Sequence, residues 1–383
     1  MIYDYIIIGS GISGLYLGYL LQNKKYLILE KNDNVGGRIQ QTNFHGKIVQ
    51  LGAGIIEDHH PNILDLLKKL KMKLNVGYKE SDRLVPGYNK QEFNKILDQI
   101  KKFKDNKDKS IKDILKQVLQ DDNKKINLFI KGSNYTDYFK ADAKMTIKHY
   151  PIKDIYDNKS KIYIVDGGNH KIIEELLTYS KKNIKLKCGV TNIEKKNDIW
   201  FITDNHTIYQ TKHIISTVDI NALKNIKIKG LSDNIDLNYF KKMIGSNNFL
   251  RMYTYHDNVE LHRTTVIPHI FKQMIPINNN IVMSAYCDNT NATKTNELLK
   301  KINNKEITEI INKFIPATPV KDKVIKYWPV GTHYYKPSYN YKKNYFTQDN
   351  FSIVGEIIGF EQGWMEGAIH SVNNWYKYNI NNK

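Results

Sequence analysis

The chain has 383 residues, of which 41% are hydrophobic and 25% are charged. This composition excludes a disordered or fibrous protein, and the length favours two closely connected domains over a single one. The formal net charge of +19 would suit a nucleic-acid-binding protein, but only four of the 58 basic residues are arginine, the residue that contacts phosphates and base edges in bidentate fashion. We therefore expect no dedicated nucleic-acid partner.

The two cysteines, Cys188 and Cys287, cannot form a disulfide framework and have no cysteine or histidine neighbours at metal-ligand spacing. We expect both to be buried and inert, and we expect no metal. The apolar N-terminal stretch contains Asp4 and spaced glycines that a signal peptide would not need. Because no run approaches the roughly 18 apolar residues of a membrane span, an intracellular, cytoplasmic protein is expected.

A glycine-rich turn follows the first predicted element, a buried parallel strand over residues 3–8. The turn reads Gly9-Ser10-Gly11-Ile12-Ser13-Gly14. In this G-x-G-x-x-G pattern Gly9 permits a tight turn, Gly11 lets the backbone approach a pyrophosphate, and Gly14 lets the next helix, predicted over 15–21, pack on the strand. The pattern places a pyrophosphate at the helix N-terminus, where free N–H groups favour an anion.

An acidic residue ends the second predicted strand, which covers residues 25–29. Glu30 lies 21 residues after Gly9, where dinucleotide-binding folds place an acid that holds the ribose hydroxyls. Lys31 follows it and is a further candidate for cofactor contact. The spacing of strand, glycine turn and acid therefore predicts a dinucleotide site at the start of the chain.

A second glycine pair, Gly36 and Gly37, precedes Arg38. The pair allows another close approach to the phosphates, and the arginine supplies a compensating charge. Together with the preceding motifs, this segment resembles the FAD-binding signature of the flavin amine oxidases. No second G-x-G-x-x-G follows a strand in this sequence, which argues against an NADPH-reduced monooxygenase.

The resemblance extends to two further cofactor segments. Gly52, Ala53 and Gly54 are similar to the family segment that passes near the flavin. Val190, in a stretch of short predicted strands, matches a valine whose backbone reads the adenine, although a purely structural role in the core is an alternative. The intervening residues 60–130 are rich in lysine and are predicted to form an inserted helical cap.

The resemblance implies an α/β fold, a Rossmann-like FAD-binding domain with a parallel sheet and an interleaved α+β substrate domain. The substrate domain is expected to contain strands over 249–255 and 281–286 and one helix over 297–314. The FAD-binding domain would comprise residues 1–58, 160–225 and 341–383, and the substrate domain residues 59–159 and 226–340.

The carboxy-terminal block resembles the segment that closes the FAD site in amine oxidases. Its cofactor positions are Gly355, Glu356, Gly363, Trp364, Met365 and Ala368. A strand ending in Gly-Glu is followed by a loop and a helix, whose N-terminus can face the flavin edge where negative charge develops on reduction. The resemblance implies that Glu356 bonds the ribityl chain.

Three candidate catalytic residues follow from the same resemblance. Trp364 would form one wall of an aromatic cage beside the flavin, unless it only fills the core. His333 replaces the second aromatic and could act as a base, a donor or a flat wall, although a structural role is an alternative. Thr332 stands where monoamine oxidases carry the cysteine that binds flavin, so FAD should be non-covalent.

Arg251 is the third candidate. Many family members place a lysine near the flavin, and the corresponding strand appears in this sequence over residues 248–255, where Arg251 is the only cation. We interpret Arg251 as a substitute that could bind a substrate carboxylate in bidentate fashion. A shift of the alignment by one residue would move it to the other face of the strand.

The implied reaction is oxidation of a carbon–hydrogen bond alpha to the nitrogen of a small amine. Hydride would pass to flavin N5 and O2 would be the acceptor, giving an imine and hydrogen peroxide. A UDP-galactopyranose mutase-like isomerase is the main alternative, but such enzymes usually have asparagine where this chain has Arg38 and differ in the carboxy-terminal block. A flavoprotein with lost or non-amine activity is the other alternative.

Overall fold

The computed structural model describes residues 1–77, 90–103, 106–133, 136–149, 161–204, 206–233, 235–340 and 342–381. No helix within these ranges is long and apolar enough to cross a membrane. The helices span Ile12–Leu20 (α1), Pro61–Lys69 (α2), Lys90–Lys102 (α3), Ile111–Val118 (α4), Asn123–Gly132 (α5), Ala143–His149 (α6), His170–Ser180 (α7), Ile220–Asn225 (α8), Ile235–Met243 (α9), Asn289–Leu299 (α10), Asn304–Asn312 (α11) and Met365–Tyr376 (α12).

The strands form one large mixed sheet, a five-stranded antiparallel sheet and two smaller sheets. They span Ile2–Ile8 (β1), Tyr26–Leu29 (β2), Gln41–Phe44 (β3), Lys47–Gln50 (β4), Ile56–Glu57 (β5), Leu74–Val76 (β6), Ile162–Val165 (β7), Ile184–Lys185 (β8), Asn192–Lys196 (β9), Ile199–Thr203 (β10), Ile208–Ser216 (β11), Lys227–Lys229 (β12), Ile244–Tyr255 (β13), Thr265–Val266 (β14), Gln273–Pro276 (β15), Ile281–Asp288 (β16), Asp322–Tyr335 (β17), Phe346–Gln348 (β18) and Phe351–Ile353 (β19).

The large sheet has the order β12-β9-β10-β11-β1-β2-β8, and β19 joins it on β11. Strands β8, β2, β1, β11 and β19 pair in parallel. Ile6 and Ile7 of β1 are fully buried and belong to two different hydrophobic clusters, so both faces of the sheet are covered, as parallel sheets require. The predicted α/β class with a parallel sheet is confirmed.

The parallel strands bring distant sequence motifs to one edge. Strands β1, β2 and β19 end immediately before Gly9, Glu30 and Val354, and the carboxyl ends of parallel strands meet on one side of a sheet. The glycine-rich turn, the acid and the carboxy-terminal Gly355-Glu356 pair therefore lie along the same edge. The strands of this sheet come from the predicted FAD-binding segments, except that β12 begins just past residue 225.

The antiparallel sheet has the order β14-β15-β16-β13-β17. One face packs on helices, and the other packs in part on the β3 and β4 strands. On β13, Leu250 and Met252 are fully buried in a cluster with α10 and α11 residues. Because side chains alternate along a strand, Phe249, Arg251 and Tyr253 share the opposite face. The predicted strands over 249–255 and 281–286 are thus present, each slightly longer than expected.

The helical region contains a strand that the sequence analysis missed. Helices α2 to α4 fall within the predicted helical cap over 60–130 and α5 begins in it, but β6 lies after α2 and pairs with β7. Phe93 and Phe129 stack at 4.2 Å between ring centroids in a separate core. Part of this cap, residues 78–89, lies outside the described residues.

The single helix predicted over 297–314 is wrong, because the chain forms α10 and α11 with a break between them. Asn303 explains the break. Its side chain accepts hydrogen bonds from the backbone N–H groups of Lys305 and Glu306 at 2.9 and 3.2 Å, and the Glu306 carboxylate accepts the Asn303 N–H at 2.9 Å. This reciprocal capping box begins a new helix.

Asn303→Ala is expected to lower the free energy of unfolding by about 1 kcal/mol, because it leaves the first N–H groups of α11 without their side-chain acceptor. Urea denaturation would measure the change. The same substitution at Asn296, inside α10, should be neutral or slightly stabilising since alanine favours a helix interior. Equal losses for the two variants would contradict the role of the cap.

Candidate functional site

The turn after β1 leaves space for a ligand directly above its second glycine. A Cβ at Gly14 would lie 1.9 Å from the Gly9 carbonyl oxygen, whereas a Cβ at Gly11 would meet nothing within 4 Å. Gly11 is also the N-cap of α1 and provides no side-chain cap. The backbone N–H groups of the first helical turn thus face a cradle without a side chain, which suits a pyrophosphate.

Glu30 fixes this turn against the end of β2. One carboxylate oxygen accepts the Ser10 N–H and the Ser10 hydroxyl, both at 2.8 Å, and the other accepts the Asn32 N–H at 2.9 Å. Each carboxylate oxygen has two lone pairs, so a ribose hydroxyl can bind beside these partners. Glu30 is buried, with 6% of its surface exposed.

The second glycine pair packs directly on the first turn. The Gly36 N–H donates to the Ser10 carbonyl at 2.9 Å. Gly37 has a φ of +56°, and a Cβ there would lie 3.3 Å from the Gly11 Cα. The two glycine motifs consequently form one surface around the predicted phosphate position.

Glu356 lies at the centre of a buried charge network. Its carboxylate contacts the Arg38 guanidinium at 2.7 Å and accepts the backbone N–H groups of His333 and Gly363 at 2.9 and 2.7 Å. It also accepts the His333 Nδ1–H. Burial alone raises the pKa of Glu356, but the Arg38 charge and the His333 contacts outweigh it and hold this pKa well below its usual range. The carboxylate is therefore ionised.

The two ends of the sequence touch at Gly355. This residue has a φ of +106°, and a Cβ there would lie 2.8 Å from the Ser13 hydroxyl oxygen in α1. Its N–H donates to Ser371 of α12 at 2.9 Å. Helices α1 and α12 pack together, and the N-cap of α12, Trp364, makes no side-chain cap. Gly355 thus joins the start of α1 to α12.

The remaining predicted cofactor residues lie on segments next to those already described. A Cβ at Gly52 would lie 1.8 Å from the Arg38 carbonyl oxygen. The segment that continues into Ala53 and Gly54 therefore packs closely on the backbone of Arg38. Met365 and Ala368 are buried in α12. Val190 is half-buried, and its neighbour Gly189 lies beside the exposed Lys31, with 3.8 Å between a Gly189 Cβ and the Lys31 Cβ.

A cavity of about 390 Å³ lies between the antiparallel sheet and the start of α12. Most of its lining residues are aliphatic, glycine, alanine, methionine or proline, and its aromatic or polar residues include Gln50, Phe249, Tyr253, Tyr286 and Trp364. Arg251 is the only charged residue among the described residues that line it. The cavity therefore offers apolar walls with one positive charge.

Arg251 is held in this cavity by two neighbouring strands. Its Nη1 donates to the Gln50 carbonyl at 2.8 Å, and its Nη2 donates to the Tyr286 hydroxyl at 3.3 Å. The guanidinium carbon lies 4.7 Å from the Tyr286 ring centroid. The Tyr253 hydroxyl donates to the same Gln50 carbonyl at 2.7 Å. These contacts orient the arginine side chain within the cavity.

The structure does not place His333 in the cavity, which corrects the predicted cage wall. Its side chain is fully buried, Nε2 accepts the Ile220 N–H at 3.1 Å, and Nδ1 donates to Glu356. The reason is register, because adjacent residues of β17 face opposite sides. Thr332 lines the cavity instead. Since both ring nitrogens of His333 have partners, the structure gives it the geometry of a positioning residue.

His60 is a residue that the sequence analysis missed. Its ring lies 4.9 Å from the Trp364 ring at 60°, and its Nδ1 accepts the Glu57 N–H at 3.0 Å. Burial, helped by the neighbouring His59, lowers the pKa of His60 to about 3, so the ring is neutral at physiological pH. No sequence motif identifies His60, because its position beside Trp364 depends on the direction in which the chain enters α2.

Glu57, His59 and His60 form a group that could hold a metal ion, with their ligand atoms within 4.8 Å of one another. The cysteine spacing in the sequence predicts no metal site. Metal analysis of the purified protein would test that expectation.

Both cysteines are buried, as predicted. Burial raises the pKa of Cys188 to about 11 and that of Cys287 to about 12. Cys188 donates to Asp204 at 2.8 Å, and Cys287 lies on β16 next to Thr295 at 3.6 Å. Neither lines the described cavity.

Comparison with known proteins gives a family match and similar solved structures. A family model described as flavin containing amine oxidoreductase matches residues 12–236. Wild-type putrescine oxidase bound to putrescine is similar in structure, with a TM-score of 0.77, 13% identity and 98% of each chain covered. A single-substitution variant of putrescine oxidase gives a TM-score of 0.80 at 13% identity and covers 100% of each chain. At such low identity the structural likeness concerns the fold.

Proposed function

Because the chain belongs to the family of flavin-containing amine oxidoreductases, we propose that it is an FAD-dependent amine oxidase. The substrate in this proposal is a small amine and the acceptor is O2. When bound, the flavin supplies the chemistry by accepting a hydride at N5 from the carbon alpha to nitrogen, and O2 then takes the electrons to give hydrogen peroxide.

The main support for FAD is the contact between the amino-terminal and carboxy-terminal motifs. Gly355 packs on Ser13, and Glu356 contacts Arg38 at 2.7 Å. In this proposal the α1 end holds the pyrophosphate, Glu30 the ribose, and Glu356 the ribityl chain. The two halves of the dinucleotide would then contact motifs that come from opposite ends of the sequence.

Residues of the cavity would orient the amine and exclude water. Trp364 and Thr332 are adjacent across Gly363, where a Cβ would lie 3.2 Å from the Thr332 methyl carbon. The apolar lining excludes water from the reacting carbon, and fixed walls favour the reactive orientation. Thr332 has no thiol and both cysteines are buried elsewhere, which supports non-covalent FAD.

His333 would act through Glu356 in this scheme. One ring nitrogen donates a hydrogen bond to the carboxylate, and the other accepts the backbone N–H of Ile220 at the start of α8. By holding Glu356 in place, it would position the ribityl contact. The division into FAD-binding and substrate segments remains part of the same proposal.

Absorbance spectroscopy followed by an amine screen tests the function. Protein reconstituted with FAD should show the oxidised flavin spectrum, which a suitable amine bleaches without air. Aeration should restore the spectrum with formation of hydrogen peroxide. A protein that stays colourless in excess FAD contradicts the cofactor proposal. A flavin that no amine reduces contradicts the proposed oxidase activity. It favours the isomerase or a flavoprotein without turnover.

A further inference from the structure

Helix α2 begins without a cap from its own N-cap residue. His60 occupies that position, but its side chain makes no capping hydrogen bond, and its Nδ1 instead accepts the Glu57 N–H at 3.0 Å. Most helices satisfy their first N–H groups with a serine, threonine, aspartate or asparagine at the N-cap. The first turn of α2 therefore takes its acceptors from another part of the chain.

Glu366, in the first turn of α12, supplies these acceptors. Its two carboxylate oxygens accept the backbone N–H groups of Asn62 and Ile63 at 3.1 and 2.9 Å. The side-chain amide of Asn62 donates to the same carboxylate at 2.6 Å. Glu366 is buried, with 3% of its surface exposed, and a negative group is favoured at a helix N-terminus. The cap of α2 thus comes from a second helix.

The same contacts continue into the helix that follows the glycine-rich turn. The side-chain oxygen of Asn62 accepts a hydrogen bond from Asn373 of α12 at 2.9 Å, and the Asn373 side-chain oxygen accepts the Tyr16 hydroxyl of α1 at 2.7 Å. Hydrogen bonds are stronger where water is excluded, and Tyr16 and Glu366 are both buried. Helices α1, α2 and α12 are therefore joined by one polar network that fixes the start of α2.

The cap from Glu366 leaves the ring of His60 to support the cavity wall. This ring packs on the Trp364 ring with 4.9 Å between the centroids, and Trp364 lines the cavity. Trp364 lies two residues before Glu366 and directly precedes α12. Glu366 consequently fixes both partners of the ring contact, because it lies on the helix that Trp364 begins and holds the helix that His60 begins.

Resting on the oxidase function proposed above, we propose that Glu366 is a positioning residue for amine oxidation, which acts through His60 on Trp364. Reacting atoms must approach to about 3–3.5 Å in the correct orientation. A displaced Trp364 ring therefore slows the transfer of hydrogen from the amine even when the amine and FAD still bind.

Glu366→Gln tests the residue. The amide keeps one oxygen but turns an NH2 group toward the N–H donors of α2. We expect the rate constant for flavin bleaching by a saturating amine without air to fall at least about tenfold, since small displacements near the reacting atoms cost this much or more, while FAD stays bound. A wild-type rate constant in Glu366→Gln overturns the proposal.

Glu306→Gln is the matched control. Glu306 accepts the Asn303 N–H at the start of α11 at 2.9 Å, and α11 packs on the face of the antiparallel sheet opposite the cavity. This variant also loses a carboxylate at a helix start, but its flavin should bleach at the wild-type rate. An equal slowing in Glu306→Gln and Glu366→Gln would mean that general loss of helix stability causes the effect, which overturns the positioning role.

A double-mutant cycle tests the route through His60. His60→Ala should slow bleaching about as much as Glu366→Gln, and the double variant should be no slower than the slower single variant, because both changes remove the same support. Losses that multiply overturn this route, and so does wild-type bleaching in His60→Ala. If Glu366→Gln does not fold, the rate of His60→Ala decides the proposal.

Tryptophan fluorescence separates the proposal from the oxidase function. The Trp364 emission is obtained as the difference between each protein and its Trp364→Phe version. It should change in Glu366→Gln but not in Glu306→Gln, and an unchanged emission in Glu366→Gln overturns the positioning role. A changed emission, together with a wild-type flavin that no amine bleaches, supports the positioning of Trp364 and contradicts the oxidase function.

Discussion

Glu356→Gln is expected to release the flavin and to lower the free energy of unfolding by about 3 kcal/mol, as for removal of one member of a buried ion pair. The carboxylate accepts hydrogen bonds from the Arg38 guanidinium, from the Nδ1–H and the backbone N–H of His333, and from the backbone N–H of Gly363. An amide has one oxygen and turns an NH2 group toward these donors. Flavin absorbance after gel filtration and urea denaturation would measure the two effects.

The pH dependence of this difference has a definite sign. The pKa of Glu356 is depressed in the folded protein, so its contribution is fully present above the ordinary glutamate pKa of about 4.3 and declines as the pH falls through that value toward the folded pKa. The stability gap between the wild type and Glu356→Gln should therefore shrink from pH 7 to pH 3. A gap that widens toward low pH would contradict the ionised network.

Glu297→Gln is the matched control for this prediction. Glu297 contacts Lys300 at 2.7 Å, but both side chains are more than half exposed. Exposed ion pairs contribute little, so this variant should keep its flavin and its stability within about 0.5 kcal/mol. If Glu356→Gln behaves like Glu297→Gln, then the buried network has no special role in cofactor binding.

Gly11→Ala is expected to preserve the fold and weaken FAD binding by at least tenfold, or about 1.4 kcal/mol. Gly11 has φ −68° and ψ −177°, which alanine adopts readily, and the added Cβ meets nothing within 4 Å. The apoprotein should be as stable as the wild type or slightly more stable. The methyl group would lie where the pyrophosphate approaches the backbone. Titration of the apoprotein with FAD would measure the affinity.

Gly14→Ala gives the opposite pattern and serves as the comparison. Its Cβ would lie 1.9 Å from the Gly9 carbonyl oxygen, so α1 must move away from β1. We expect lost stability even without FAD, by more than about 2 kcal/mol, since overpacking forces the backbone to shift. A Gly11→Ala protein that binds FAD normally would mean that the open space above this residue is not the phosphate site.

The cofactor motifs could be located from the sequence because their requirements are local. Gly14 occupies a position where another backbone lies too close for a side chain, and Gly37 has a positive φ and packs tightly on Gly11. Glu30 follows a buried strand, so it must lie at that strand's carboxyl end. Such constraints are recorded in residue identity and spacing, and they require no knowledge of distant segments.

The cavity could not be predicted in the same way. Thr332 and His333 are neighbours in sequence, but one lines the cavity and the other is buried against Glu356. An alignment that is uncertain by one residue cannot separate them, because each step along a strand reverses the face. Similarly, His60 reaches Trp364 only because α2 and α12 pack together.

The sequence by itself determined the α/β class, the family and the glycine-rich turn at Gly9 to Gly14, because these follow from residue types at short spacing. The tertiary structure decided that Gly355 packs on Ser13 and that Arg251 faces an apolar cavity. The break at Asn303 in the predicted helix over 297–314 is different, because its capping box is a local pattern that the sequence already contains. Contacts between segments hundreds of residues apart depend on sheet order and strand register, and neither property is specified by local residue patterns.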